Sequence, residues 1–128
     1  MIKRFKKFNE SKSKFPDIKK NDIDGFIVFL GRDALSNDYL TFNVADDDDI
    51  WMHVKGTPGS HVVIRVHDNL PTLEVIKKAA KIAKANSKSK SLDSATIVYC
   101  KRKFVKKEAN MNPGQVRVDY RNAEEIIV

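Results

Sequence analysis

The stretch Asp49–Val66, DIWMHVKGTPGSHVVIRV, concentrates the side chains with the most chemistry to offer. Trp51, His53 and Lys55 alternate in its first apolar run. His61, Val63 and Arg65 alternate in its second, so each trio shares one face of a strand. An indole and two imidazoles are stacking surfaces for bases, and Lys55 and Arg65 are donors for phosphate or base edges. Gly56 and Gly59, in the turn between the runs, let backbone approach a ligand closely. The set suits an anionic, aromatic partner. The competing reading buries Trp51 under a helix and leaves His53 and His61 as hydrogen-bonded core or rim groups.

The same residues make a poor catalytic set. Ser60 and His61 are neighbours, and side chains of strand neighbours diverge, which is the wrong arrangement for activating a hydroxyl. His53, His61 and His67 bring no supporting carboxylate for a metal. There is no Walker loop, dinucleotide glycine fingerprint, HExxH or cysteine-rich zinc spacing. The run Asp46–Asp49 lacks the alternate ligand spacing and the glycine of a calcium loop, so it reads as a solvated acidic loop. No catalytic residue, metal or cofactor is assigned.

The elements that position these residues follow from periodicity. The two runs form a hairpin, with Val54 expected opposite Val62, Met52 opposite Ile64 and Ile50 opposite Val66. That register places Lys55 opposite His61, His53 opposite Val63 and Trp51 opposite Arg65. Its aliphatic face goes to the core and its polar face outward. Gly25–Leu30 reads as a buried strand. Ser36, Asn37 and Asp38 are capping residues, and Tyr39–Ala45 follows as a helix, with a strand as the alternative. Pro71 to about Ser87 is the clearest helix, with Pro71 in its first turn. Val75, Ile76, Ala79, Ile82 and Ala83 share one arc of it. Lys77, Lys81, Lys84 and Lys88 stripe the other, read either as a solvated face or as a phosphate-facing stripe. Ala95–Lys101, Gln115–Tyr120 and Glu124–Val128 read as strands, and Phe104–Gly114 as a basic loop. The fold expected is α+β, a single compact domain. Its mixed or antiparallel sheet is packed by one main helix at about 71–87 and a short second helix at about 37–45. Residues 1–23 form a basic N-terminal arm, either solvated or partly docked as a strand or helix through Phe5, Phe8 and Phe15. Residues 24–128 form the domain.

Charge is unevenly placed. Residues 1–21 hold eight Lys/Arg against two acids, residues 22–70 three against nine, and residues 71–128 thirteen against six. Such asymmetry within a net charge of +7 is the footprint of a polyanion binder. No apolar run approaches the roughly 18 residues of a membrane span. The lysine-rich N-terminus has no apolar core of a secretory signal. Cys100 is the single cysteine and reads as a buried small hydrophobe. A reducing, cytoplasmic setting follows.

Four segments taken in order, GRDALSNDYLTFNVA, DIWMHVKGTPGSHVVIR, the helix ending in SKSK, and KKEANMNPGQV, closely resemble the NFACT-R domain. That domain is the RNA-binding module of the ribosome quality-control factors called RqcH in bacteria and NEMF in animals. The likeness runs from about Asp24 to the C-terminus. Matching positions are Gly31, Arg32, Asn37, Asp38, Trp51, His53, Pro58, Gly59, Ser60, His61, Arg65, Ser87 and Lys88. The resemblance implies a compact α+β RNA-binding domain that engages tRNA, ribosomal RNA or the large ribosomal subunit. At 128 residues the chain looks like the stand-alone form, so only the binding module carries over.

The expected RNA-binding set is therefore Arg32, Asn37, Asp38, Trp51, His53, Lys55, Gly59, Ser60, His61, Arg65, Lys77, Lys81, Lys84 and Lys88, with the basic 101–107 segment and the arm tracking phosphate. Two rivals remain: an enzyme acting on RNA or a nucleotide through His53 and His61, and a module docking on a ribosomal protein through the hairpin.

Overall fold

Alternating Val, Ile, Phe and Trp residues build a six-stranded antiparallel sheet. The computed structural model describes residues 15–128. Strands β1 (Ile18–Ile23) and β2 (Phe26–Gly31) are followed by helix α1 (Ala34–Tyr39), which runs on as a π turn over Leu40–Val44. Then come β3 (Ile50–Val54), β4 (Val62–Ile64), α2 (Leu73–Ala85) and β5 (Thr96–Lys101). A short ribbon of β6 (Val105–Lys106) and β7 (Arg117–Val118) precedes β8 (Glu124–Ile127). The sheet order is β1-β2-β4-β3-β5-β8, so the α+β expectation holds.

Each face of the sheet has its own cover. Val28, Leu30, Met52, Val54, Val62, Ile64 and Ile97 pack beneath α2, which meets them through Val75, Ala79, Ala80 and Ala83. The alanines bring the helix axis close, as their place on the apolar arc requires. On the opposite face Phe29, Trp51, Val63, Val98 and Cys100 are closed over by Leu40 and Val105. The hairpin face expected to look outward is thus a second core. Its lid comes from the π turn and the β6–β7 region, the latter read from sequence mostly as basic loop. Burial there raises the Cys100 thiol to about 11, so it stays an inert hydrophobe.

The hairpin register differs from expectation by two residues: Ile50 pairs with Ile64, Trp51 with Val63 and Met52 with Val62. An even slip leaves every side chain on its expected face. Residues 53–61 leave the β3–β4 ladder, and among them Pro58, Gly59 and Ser60 dock on the end of α2. Helix α1 starts earlier than expected. Asp33, not Ser36–Asp38, is its N-cap and accepts from Ser36 N at 2.8 Å. Helix α2 is capped by Thr72, one residue beyond Pro71. Only Arg117–Val118 of the expected 115–120 strand is laddered. Ile18–Ile23, assigned to the arm, forms the edge strand β1 against β2. Phe5 and Phe8 lie outside the described residues.

The acidic run is not simply solvated. Asp49 is fully buried and accepts from Arg65 Nη1, Val66 N and Asp46 N, each at 2.8 Å. Arg65 also reaches Asp46 and lies 5.1 Å above the Phe29 ring. Asp47 pairs with Arg102, and Asp48 lies near Lys101 and Lys103. Removing one partner of a buried pair strands the other, at a cost of about 3–5 kcal/mol. Asp49→Ala is therefore expected to lower the unfolding free energy by about 3 kcal/mol in urea titrations, with a native-like denaturant slope. A loss below about 1 kcal/mol overturns the assignment of Asp49 as the anchor of this corner.

Candidate nucleic-acid interface

The floor of the site is a directed chain of hydrogen bonds. Gly114 O can only accept, so His61 carries its proton on Nε2 and donates to that carbonyl at 3.1 Å. Nδ1 then accepts from the Thr41 hydroxyl at 2.8 Å. Thr41 Oγ1 in turn accepts from Trp51 Nε1 at 3.2 Å. Thr41 is fully buried, and Trp51 and His61 are each 1% exposed. The His61 edge meets the Trp51 ring at 5.3 Å, and His53 lies nearly parallel to that indole at 6.0 Å. Burial, then the neighbouring His53, pushes the His61 pKa down to about 4; the Gly114 bond and Asp38 oppose this. Burial also lowers the pKa of His53, opposed by hydrogen bonding to Gly59.

Close backbone approaches set the turn over this floor. Asn37 Oδ1 accepts from His61 N at 3.0 Å, and a side chain at Gly31 would sit 2.0 Å from that oxygen. Gly59 bridges to Ser87, where a Cβ would come within 2.7 Å of the serine Cβ. Ser60 N donates to Asn86 O and Lys88 N to Pro58 O, so the SKSK segment is the dock for the Pro-Gly-Ser turn. Across the site, Asp38 accepts from Gly114 N at 3.1 Å and pairs with Lys107 at 3.0 Å.

Two concavities meet at this turn. A cleft of about 850 Å³ is floored by Trp51, His53 and His61 and walled by Pro58–Ser60 on one side and Met111–Val116 on the other, with Tyr120 and Lys55 at its mouth. A groove of about 640 Å³ runs beyond it between β1 and α2, lined by Lys19, Asn21, Arg32, Lys81 and Asn86. Arg32, Ser60 and Asn86 border both. No described residue lining the groove is acidic.

Similarity to known proteins agrees with this geometry. Residues 14–120 match the family described as the NFACT protein RNA binding domain. The chain belongs to this family. It is 43% identical over 95 residues to the Rqc2 homolog RqcH of Bacillus subtilis (strain 168), covering 74% of this chain and 16% of that protein. It is 30% identical over 97 residues to coiled-coil domain-containing protein 25 of Bos taurus, covering 71% of this chain and 46% of that one. The solved C-terminal part of the fibronectin/fibrinogen-binding protein from Streptococcus suis superposes with a TM-score of 0.78 at 34% identity, over 87% of this chain and 44% of that one. The chain thus spans only a small part of the RqcH relatives.

Within this NFACT domain the expected site residues divide. Trp51, His61 and Asn37 are buried and Arg65 is half-buried: the first two form the floor, Asn37 holds the turn, and Arg65 is committed to Asp46 and Asp49. Asp38 and Gly59 are partly exposed but engaged in the same framework. Arg32, His53, Lys55 and Ser60 border the concavities, Lys55 paired with Glu125 and Arg32 with Asp17. Lys77, Lys81 and Lys88 are exposed on or just beyond α2, and Lys84 is half-exposed. Arg102, Lys103 and Lys107 of the basic segment are paired with acids, which leaves them less free for phosphate. Sequence reading singled out neither Asn21 nor Tyr120, and reached Lys19 only as part of the arm expected to track phosphate. Lys19 and Asn21 alternate in IKKNDI, a period-two signal overshadowed by the lysines around it.

The buried relay has a pH signature. An unfolded histidine takes its proton near 6.5, whereas folded His61 resists until about 4. Between those values the unfolded chain binds more protons, so stability falls as pH falls. From pH 7 to 5 the His61 contribution to lost stability is expected to be about 2 kcal/mol. NMR titration of the ring should give a midpoint near 4. A midpoint at or above the ordinary value overturns the neutral relay.

Proposed function

We propose that this NFACT domain binds RNA of the translation machinery, tRNA or ribosomal RNA on the large subunit, in cytoplasmic ribosome-associated quality control. It acts by binding rather than by catalysis. The observation that carries the reading is the groove where Lys19, Arg32 and Lys81 converge with no carboxylate among its described lining residues. Three cations from a strand, a loop and a helix converge on one channel, an arrangement complementary to a phosphate chain, with Arg32 half-exposed and 3.7 Å from the Asp17 carboxylate. The α2 lysines extend the positive surface, with Lys78 held back by Asp24.

Support for a non-catalytic role lies in His61. Both ring nitrogens of His61 are engaged, one by a hydroxyl and one by a carbonyl. A general base needs a free nitrogen within reach of its substrate. The kinship to the Rqc2 homolog RqcH supports the ribosomal setting.

Replacing Lys19, Arg32 and Lys81 together by Glu is expected to weaken binding to single-stranded RNA. It should also flatten the plot of log affinity against log salt by about 2, since each phosphate contact contributes about 0.7. Filter binding across a salt series measures this. Unchanged affinity and slope, in a protein with unaltered far-UV circular dichroism, overturn the groove as the phosphate track.

A further inference from the structure

The geometry points to a binding site for one unpaired nucleotide, its base in the cleft floored by His53 and its phosphate in the adjoining groove. This rests on the RNA reading and narrows it to RNA with an exposed single strand.

Three features of the cleft select a base. Its floor is a fixed aromatic surface, because His53 lies flat against Trp51 and meets the edge of His61 at 5.5 Å. Its mouth holds Tyr120, 56% exposed although it is a large aromatic, with Lys55 Nζ 5.8 Å from its ring centroid. An exposed ring beside a cation is a stacking platform for any base, whatever its hydrogen-bonding edge. Its volume of about 850 Å³ is in the usual range for small-molecule sites and leaves ample room for a nucleobase.

The neighbouring groove selects what is attached to that base. Arg32, Ser60 and Asn86 border both concavities, so a group leaving the cleft enters the channel of Lys19 and Lys81. The walls are held from behind. Gly59 is locked to Ser87, and the Gly114 backbone is bonded to both His61 and Asp38. A preformed cleft between two fastened loops admits a base that has left its stack. A base pair in an A-form helix keeps both faces covered and presents only its edges.

The test uses the full chain with two probes, octauridylate and a blunt RNA duplex, followed by fluorescence anisotropy at one fixed salt concentration. Tyr120→Ala is expected to bind octauridylate about tenfold more weakly, in line with the loss of one stacked base, and the duplex unchanged. Tyr120→Phe keeps the ring and should retain wild-type affinity. Addition of octauridylate should move the amide resonances of Gly59 and Gly114. If Tyr120→Ala binds octauridylate like the wild type, or the Gly59 and Gly114 resonances stay fixed while the RNA binds, the nucleotide site is overturned and the phosphate groove stands. If the unaltered domain binds neither probe, the RNA reading itself falls.

Discussion

The Thr41 hydroxyl is the point on which the rest of the domain depends. It accepts from Trp51 and donates to His61, so one buried oxygen satisfies an indole and orients an imidazole. The orientation of His61 fixes its other nitrogen on Gly114 O, which ties the 111–116 loop to the hairpin. In a low-dielectric interior such a chain is worth keeping complete, because an unpaired indole N–H or imidazole nitrogen costs about 1–3 kcal/mol. The π turn earns its place here. It carries Leu40 and Thr41, both fully buried, into the core facing Trp51.

The residues matching the family pattern are therefore mostly carpentry. Gly31 yields space to Asn37, Asn37 holds His61, Gly59 lies against Ser87, and Asp38 grips the Gly114 backbone. The surface they shape is finished by residues outside that pattern, Lys19 and Tyr120 above all. Of the residues in that pattern, Arg32, His53 and Ser60 also border the concavities, so framework and contact surface meet at the turn.

Period-two alternation located β3, β4 and β5, an unbroken apolar run located β2, the C-terminal segment also read as the strand it forms, and helical spacing located α2 with the correct arc buried. Those signals are local, and they survive because each face is apolar enough to need covering. What alternation does not carry is how far a strand pair continues before its turn. The register shift arose from contacts of Pro58, Gly59 and Ser60 with Asn86–Lys88, distant in sequence. The same limit applies to Trp51. Its face looked functional because it mixed an indole with imidazoles and cations. Yet the imidazole of His61 and the guanidinium of Arg65 each found an internal partner, on Thr41 and Asp49, that only the folded chain supplies. The motif resemblance identified the family where periodicity could speak only of a two-faced hairpin.

The acidic corner has a consequence for the molecule as a whole. At the start of β3, Asp46 to Asp49 lie among Arg65, Lys101, Arg102 and Lys103, and carboxylates and cations balance there. The far end of β3, about 14 Å away across the four steps from Ile50 to Val54, faces the side on which Lys19, Arg32 and Lys81 meet. Carboxylates balance cations at the first end, whereas at the other only Arg32 of the three meets an acid, Asp17, among the described ion pairs, so that side of the domain carries the excess positive charge. In the field of a polyanion such a body turns before it touches, and its encounters begin with the groove already facing forward.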